Sequence, residues 1–237
     1  MRNRCLTVCL GVATDGARHF IDLSVSNPLL ISGVCGSGKT IFLRSILSEL
    51  ISINPVEKLQ IVSVKANPHC TGFGDIISNH RDFFQEFSTE ESGNELLQFL
   101  ITEAHRRIHL FHGSGIHSLS LYNKQFKEPL PHLIVAIDNA DRLFRVCEDA
   151  LIDQFFEAVV RMWNHVGMTL IVSIQSLSLL APWQYFVDAG FHIVFRTLDC
   201  HFLPFPNLKP NLLRCLDPGA HMFTSKNCET LFFQPTY

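Results

Sequence analysis

The sequence is poor in charged residues. Asp, Glu, Lys and Arg make up 17% of its 237 residues, against about 25% in typical soluble proteins, while 47% are hydrophobic. A chain of this composition can bury a large core, which excludes disorder as its main state. The 19 basic and 22 acidic residues give a formal charge of -3, so no overall positive field draws the chain onto nucleic acid or an anionic membrane. Any contact with DNA must therefore be local or shared among subunits.

A hydrophobic run long enough to cross a bilayer is also missing. The apolar stretches, such as residues 133–137, have the length of strands, whereas a membrane-spanning helix needs roughly 20 residues. The first residues are similar to a secretory signal, but no small-residue cleavage site follows them, and Asp15-Gly16 is typical of a hairpin turn. We therefore predict a strand in this segment rather than a signal peptide.

The cysteines lack the spacing of a paired set. None of the eight forms a Cys-x-x-Cys pair. They are Cys5, Cys9, Cys35, Cys70, Cys147, Cys200, Cys215 and Cys228. We therefore predict reduced, mostly buried thiols in a cytoplasmic protein, which a partner or an anchor outside this sequence could hold at a membrane.

Strand and helix patterns alternate along the chain. Short apolar runs predict the strands, and apolar residues at helical spacing predict the helices. Strands are predicted at 5–12, 18–24, 28–32, 59–64, 132–137, 169–174, 192–195 and within 220–233, and helices at 41–50, 91–112 and 151–166. Such an order predicts an α/β fold with a mainly parallel sheet, helices on both faces and antiparallel strands at one edge.

A phosphate-binding motif lies between the strand at 28–32 and the helix after it. Its eight residues match G-x-x-x-x-G-K-[ST] at every fixed position. They are Gly33, Val34, Cys35, Gly36, Ser37, Gly38, Lys39 and Thr40. The glycines let successive backbone N–H groups point at phosphate oxygens, Lys39 reaches the β and γ phosphates, and Thr40 offers its hydroxyl to Mg²⁺. The motif therefore predicts a site for ATP and Mg²⁺.

The expected domain organisation places this motif in the central part of a single domain. We expect one domain over residues 1–237, with an N-terminal β-hairpin at 1–27, a nucleotide-binding core at 28–200 and C-terminal edge strands at 201–237.

A carboxylate follows the apolar strand at 132–137. Asp138 is placed to hold the water shell of Mg²⁺ together with Thr40. In hydrolysing relatives of this arrangement a glutamate usually comes next and activates the attacking water, whereas this chain has Asn139. An amide cannot accept the proton, so general-base assistance of about 10² to 10⁴-fold is lost unless another carboxylate substitutes. Asp141 is the nearest candidate, although a charge at a helix N-terminus is the favoured explanation of it.

The strand at 169–174 ends in an amide. Gln175 occupies the place where P-loop motors keep a sensor of the γ phosphate. The alternative is a solvated loop residue, because a glutamine that leaves a strand is often no more than that.

Several blocks of the chain, in order and with the right spacing, resemble the motor domain of the FtsK/SpoIIIE family. The blocks are 29–40, 61–65, the EAHRR segment at 103–107, 115–123, 130–138, 167–175 and 192–196. The resemblance runs from about residue 20 to the C-terminus. It implies a RecA-like P-loop ATPase that assembles as a ring, or with fused or partner ATPase domains, and that moves double-stranded DNA.

Two departures from the family pattern bear on hydrolysis. Asn139 replaces the glutamate, and His192 aligns with an arginine that would contact the nucleotide of a neighbouring subunit. A trans arginine contributes about 10³ to 10⁵ to the rate of phosphoryl transfer. The same pattern is similar to degenerate ATPase modules of type VII secretion motors of the EssC/EccC kind, which move proteins. The alternatives therefore remain a DNA translocase, a module that binds ATP structurally, and a motor that engages a secreted protein.

Overall fold

The structure is a computed structural model of the chain. It describes residues 6–24, 28–65, 74–160, 166–175, 191–197, 214, 216–225 and 228–233.

Ten strands and six α-helices are assigned in the described residues. In chain order they are β1 (Thr7–Val12), β2 (Arg18–Asp22), β3 (Leu29–Ser32), α1 (Lys39–Ile53), β4 (Leu59–Lys65), α2 (Gly74–Asn79), β5 (Phe84–Ser88), α3 (Thr89–Gly113), α4 (Leu119–Gln125), β6 (His132–Asp138), α5 (Ala140–Val146), α6 (Asp149–Phe155), β7 (Met168–Ile174), β8 (Phe191–Phe195), β9 (His221–Ser225) and β10 (Cys228–Phe233). A 3₁₀ turn at Arg81–Phe83 precedes β5, and a π-helical segment at Phe156–Val160 follows α6.

Eight of the strands form one sheet in the order β10-β9-β8-β3-β7-β6-β4-β5. The pairs from β8 to β5 are parallel, and β9 and β10 add antiparallel strands at one edge. The strands β1 and β2 form a separate antiparallel pair, which meets the large sheet through a bridge between Ala13 and Phe233. The predicted α/β fold with a mainly parallel sheet and an antiparallel edge is confirmed.

The core has two layers, one on each face of the sheet. Successive residues of β6 alternate between them, since Val135 and Ile137 pack on the face covered by α3, α5 and α6, while Ile134 and Ala136 pack on the face covered by α1 and β1. Every residue of β7 is buried, as expected for a central strand of a sheet that is covered on both faces. Each fully buried large apolar side chain of this kind contributes about 1.5–3 kcal/mol to folding.

Some element bounds differ from the sequence prediction. The helix predicted at 151–166 ends as an α-helix at Phe155 and continues as the π-helical segment, and residues 161–165 lie outside the described part. The strand β5 was not predicted, because its sequence FQEFS lacks a continuous apolar run. The residues 198–213 of the predicted core and edge regions lie outside the described residues.

None of the described helices combines the length and apolarity needed to cross a membrane. The described thiols of Cys9, Cys35 and Cys147 are free, whereas Cys5, Cys70, Cys200 and Cys215 lie outside the described residues.

Candidate nucleotide-binding site

The phosphate-binding loop leaves the centre of the sheet. The strand β3 pairs with β7 on one side and β8 on the other, and α1 begins directly after the loop at Lys39. A side chain at Gly33 is excluded, because its φ is +153° and an added Cβ would lie 2.8 Å from Cβ of Phe195. Gly36, with φ +73°, has no heavy atom within 4 Å of such a Cβ position, so the loop faces open space at this residue. Glycine therefore permits close packing against the sheet at position 33 and leaves the backbone open at position 36.

Backbone hydrogen bonds fix the loop to three other segments. Gly33 N–H donates to the carbonyl oxygen of Ile174 over 3.2 Å, and Val34 N–H donates to that of Arg196 over 2.9 Å. The carbonyl oxygen of Ser37 accepts from Gly219 N–H over 3.0 Å. The ends of β7 and β8 and the turn before β9 thus hold the loop in place.

The lysine of the motif is buried against its own loop. Lys39 is 5% exposed, and its Nζ donates to the carbonyl oxygens of Gly33 and Val34 over 2.7 and 2.9 Å. Burial lowers the pKa of the Lys39 ammonium, while the nearby charge of Asp138 opposes that change. A cation held at the loop backbone is placed to meet the charge of a bound phosphate.

Two oxygen groups meet beside the lysine. Thr40 Oγ1 donates to Oδ2 of Asp138 over 2.9 Å. The other carboxylate oxygen of Asp138 accepts a hydrogen bond from Ser173 Oγ, and Ser173 Oγ in turn accepts from Asn139 N–H over 2.9 Å. The predicted pair of Thr40 and Asp138 is therefore brought together, with Ser173 holding the carboxylate from β7.

This donor set fits Mg²⁺. A hydroxyl and a carboxylate are hard oxygen ligands, and Mg²⁺ is usually held by one or two carboxylates together with phosphates and waters. Within the described part of the chain no group of three or more His, Cys, Asp or Glu side chains could hold a metal ion. Thr40 and Asp138 therefore match the few protein ligands that a nucleotide-bound Mg²⁺ would need.

Asn139 and Gln175 lie side by side at the same edge of the sheet. Asn139 has φ 56° and is the one described non-glycine residue with a positive φ, a conformation that asparagine tolerates better than most residues. Its Oδ1 accepts a hydrogen bond from Nε2 of Gln175 over 3.4 Å, and Gln175 is exposed. The residue predicted as the degenerate base position and the predicted sensor are thus neighbours.

Asp141 also reaches this edge. It lies in the first turn of α5, is 5% exposed, and its Oδ2 accepts a hydrogen bond from Gln175 N–H over 2.7 Å. Burial raises the pKa of the Asp141 carboxyl, against the lowering effects of that hydrogen bond and of Lys39. The favoured explanation of Asp141, a charge at a helix N-terminus, agrees with its position in α5. It does not account for the hydrogen bond to Gln175 at the end of β7.

His192 lies in the predicted strand, but its side chain is enclosed in the sheet. The side chain is 2% exposed in β8, and its Nε2 is 2.9 Å from Ser32 Oγ in the neighbouring strand. Burial lowers the pKa of its imidazole to about 3, so the ring is neutral at physiological pH. The expectation that position 192 serves at a subunit boundary is wrong, because a side chain enclosed in the sheet cannot reach a neighbouring subunit's nucleotide.

Sequence reasoning missed two groups that shape the site. Ser173 is a buried hydroxyl in a strand whose only other polar residue is Thr169, and such a residue two positions before Gln175 was the available signal. Gly219 donates to the loop from a turn with the sequence Asp217-Pro218-Gly219. Only the folded sheet brings that turn beside the loop, so no local pattern could have found it.

Comparison by sequence finds DNA translocases. The chain is 24% identical over 179 residues to the DNA translocase SftA of Bacillus subtilis strain 168 and 26% identical over 183 residues to the DNA translocase FtsK of Clostridium tetani. These matches cover 73% and 75% of this chain and 18% and 24% of the relatives. The chain thus spans about a fifth of the length of the curated relatives that it matches. No family model matches the chain.

Comparison by structure finds ATPase domains. EssC (ATPases 2 and 3) from Geobacillus thermodenitrificans matches 97% of this chain and 44% of its own with a TM-score of 0.77 and 17% identity. The cytoplasmic domain of the type VII secretion ATPase EccC of Thermomonospora curvata matches 100% of this chain and 29% of its own with a TM-score of 0.77 and 23% identity. The pCW3 conjugation coupling protein TcpA with ATPγS matches 98% of this chain and 66% of its own with a TM-score of 0.76 and 21% identity. The predicted resemblance to FtsK/SpoIIIE-type motor domains is thus confirmed, and the chain has the α/β RecA-like fold of these P-loop ATPases.

Proposed function

We propose that this chain is a cytoplasmic ATP-binding motor domain that couples binding and slow hydrolysis of Mg-ATP to translocation of double-stranded DNA in a ring of subunits. The observation that carries the nucleotide part is the buried Lys39 beside the Thr40–Asp138 pair. The choice of DNA rests on the sequence relatives, which are named as DNA translocases.

The geometry supports a specific role for each group in nucleotide binding. The open loop backbone around Gly36 would donate N–H groups to the phosphates, and Lys39 would exchange its bonds to two loop carbonyls for bonds to the β and γ phosphates. Thr40 and Asp138 would hold Mg²⁺, which neutralises phosphate charge when it is bound. Gln175 would meet the γ phosphate from the end of β7 through its exposed amide.

The first experiment tests nucleotide binding. Mg-ATP should raise the melting temperature of the wild type and should have almost no effect on Lys39→Ala, since ligand binding stabilises only a competent site. Lys58→Ala is the matched control, because Lys58 is exposed and lies before β4, away from the loop. An equal shift in Lys39→Ala and wild type would remove Lys39 from the nucleotide site and overturn this part of the proposal.

A protein-translocating ATPase module is the second candidate function. Its support is the structural likeness to EssC and EccC over nearly the whole chain, together with the replacement of the usual glutamate by Asn139. In that case ATP would be retained structurally, and a secreted protein would take the place of DNA.

The two candidates differ in what they bind. Affinity for duplex DNA that falls steeply with salt supports the translocase, because it reports the release of counterions from phosphates. Saturable binding of a helical peptide with little salt dependence, together with tight ATP retention without turnover, supports the protein-engaging module. Fluorescence anisotropy with a labelled duplex and a labelled helical peptide at two salt concentrations separates these outcomes.

A further inference from the structure

One chemical group is missing from the proposed hydrolysis. The attacking water must lose a proton, and the amide of Asn139 cannot accept it at neutral pH. The carboxylate of Asp138 is already engaged on both oxygens, by Thr40 and by Ser173. A base for the water must therefore come from another side chain at this edge of the sheet.

The strand order defines where such a group has to lie. The strand β7 pairs with β3, which leads into the phosphate-binding loop, and with β6, which ends in Asp138. The residue that follows β7 therefore sits between the loop and the metal-binding carboxylate. That residue is Gln175, and its N–H donates to Oδ2 of Asp141 over 2.7 Å, which places the Asp141 carboxyl beside the end of β7.

One oxygen of the Asp141 carboxylate lacks a hydrogen-bond partner among the described residues. The residue is 5% exposed, and its Oδ1 is buried and has no hydrogen-bond partner in the described part of the chain. A buried carboxylate oxygen without a partner costs free energy, and each such group in a folded protein calls for an explanation. The charges that act on this carboxyl are Lys39 of α1 and Arg145 of its own helix α5, so a cation of the phosphate-binding loop is within electrostatic reach.

We propose that Asp141 takes the place of the missing glutamate and is the carboxylate that orients and deprotonates the attacking water. This inference rests on the proposed binding of Mg-ATP. In the step, a proton passes from the water to Oδ1 of Asp141, and the water oxygen forms a bond to the γ phosphorus. The bond from that phosphorus to the oxygen bridging the β and γ phosphates breaks, and its electron pair stays on ADP. The proton then leaves Asp141 for phosphate or solvent.

The electrostatic environment suits this role. Burial raises the pKa of the Asp141 carboxyl above its ordinary value of 3.8. A base is more effective when its pKa lies nearer the working pH, so the raised value strengthens Asp141 as a proton acceptor.

Replacement by asparagine separates this role from a structural one. In Asp141→Asn the amide oxygen can still accept the hydrogen bond from Gln175 N–H, so the contact between α5 and β7 is kept while the proton acceptor is removed. Asp149→Asn is the matched control, since Asp149 also lies in the first turn of a short helix but is exposed in α6.

The test compares steady-state ATP hydrolysis by the wild type and the two variants, with and without duplex DNA, and the thermal shift given by Mg-ATP. Asp141→Asn should keep the thermal shift and the KM and should lose about 10²-fold or more in kcat. The wild-type kcat should fall with falling pH as Asp141 is protonated, and the residual rate of Asp141→Asn should lack that dependence. Asp149→Asn should match the wild type in every measurement.

The outcomes distinguish this inference from the proposed function. A kcat of Asp141→Asn within a fewfold of wild type, or a wild type that binds Mg-ATP and never hydrolyses it, overturns the role of Asp141 and leaves nucleotide binding intact. A wild type without any thermal shift from Mg-ATP overturns the proposed function itself.

Discussion

Two carboxylates at the end of the sheet have different surroundings. Asp138 has hydrogen-bond donors on both oxygens, from Thr40 and from Ser173. Asp141 has a donor on one oxygen only, and its burial raises the pKa of the carboxyl. A buried polar side chain that lacks hydrogen-bond partners lowers the stability of the folded state, and such side chains are often kept because they serve function. The cost of burying the Asp141 carboxylate can therefore be measured as a change in the stability of the apo protein.

Asp141→Asn should stabilise the apo protein at neutral pH. A carboxyl with a raised pKa in the folded state adds stability below its ordinary value of 3.8, and this contribution is lost as pH rises through the folded value. Above that folded value the wild type has lost it, whereas an amide carries no such penalty at any pH. The melting temperature of the variant should exceed that of the wild type at neutral pH, and the difference should vanish as pH falls towards 3.8. A constant difference at all pH values would contradict this account.

His192→Arg should destabilise the protein. The side chain at this position is enclosed in β8 and contacts Ser32, so an arginine would bury an unpaired charge, at a cost of roughly 3–5 kcal/mol. Urea unfolding measures the loss, with His192→Gln as the control because glutamine is neutral and keeps a hydrogen-bonding group. If the arginine variant is as stable as the wild type and its turnover increases with protein concentration, position 192 does lie at a subunit boundary and this prediction is wrong.

At the scale of elements, one buried arginine ties α3 to two strands. Arg107 is 2% exposed, its Nε donates to Glu103 over 2.7 Å, and its Nη1 lies 3.0–3.2 Å from the carbonyl oxygens of Pro131, Val166 and Gly167. These carbonyls precede β6 and β7, the strands that end in Asp138 and lead to Gln175. The position of α3 therefore sets the starting points of the strands whose other ends form the site.

Arg107→Lys should lower the free energy of unfolding by at least about 1–3 kcal/mol, which is the cost of leaving a buried acceptor unsatisfied. A lysine lacks the planar fork that serves several acceptors at once. The control is Arg106→Lys, since Arg106 pairs with the same Glu103 but is exposed, and exposed ion pairs contribute about 0–1 kcal/mol. Urea denaturation of both variants tests the prediction, which fails if the two lose equal stability.

The sequence predicts those elements whose pattern is local and strong. The apolar runs of β3, β4, β6 and β7 mark buried central strands, and the phosphate-binding motif by itself predicts Lys39 and Thr40 as phosphate and metal ligands. The edge strand β5 carries Gln85 within a short segment, so neither alternation nor an apolar run distinguishes it from a loop. The burial of His192 could not be predicted, because it follows from pairing with strands distant in sequence.

At the scale of the whole molecule, the low charge limits how tightly one copy of the chain can bind a polyanion. A formal charge of -3 gives a single domain little affinity for a polyanion. If the chain translocates DNA, contacts from several subunits have to add, and each nucleotide site would gain from association.

We therefore expect a concentration-dependent assembly. The protein should be mainly monomeric when dilute and should form rings only with nucleotide, with DNA or with a fused partner domain, since a site completed by a neighbour couples ligand binding to association. Analytical ultracentrifugation with and without Mg-ATP and duplex DNA measures the species present. A tight dimer without larger species under all of these conditions would count against the ring.

The strand that carries the phosphate-binding loop lies early in the chain, but both of its partners come late. Residues 29–32 of β3 pair with 171–174 of β7 and 191–194 of β8. A ribosome that adds about 5–20 residues per second needs on the order of 7–30 s to make the chain between them. During that time β3 has neither of its sheet partners, so this apolar strand and the glycine-rich loop after it stay unpaired. The proposed nucleotide site is thus among the last parts of this protein that can fold during synthesis, and a nascent chain that stops before β7 cannot form it.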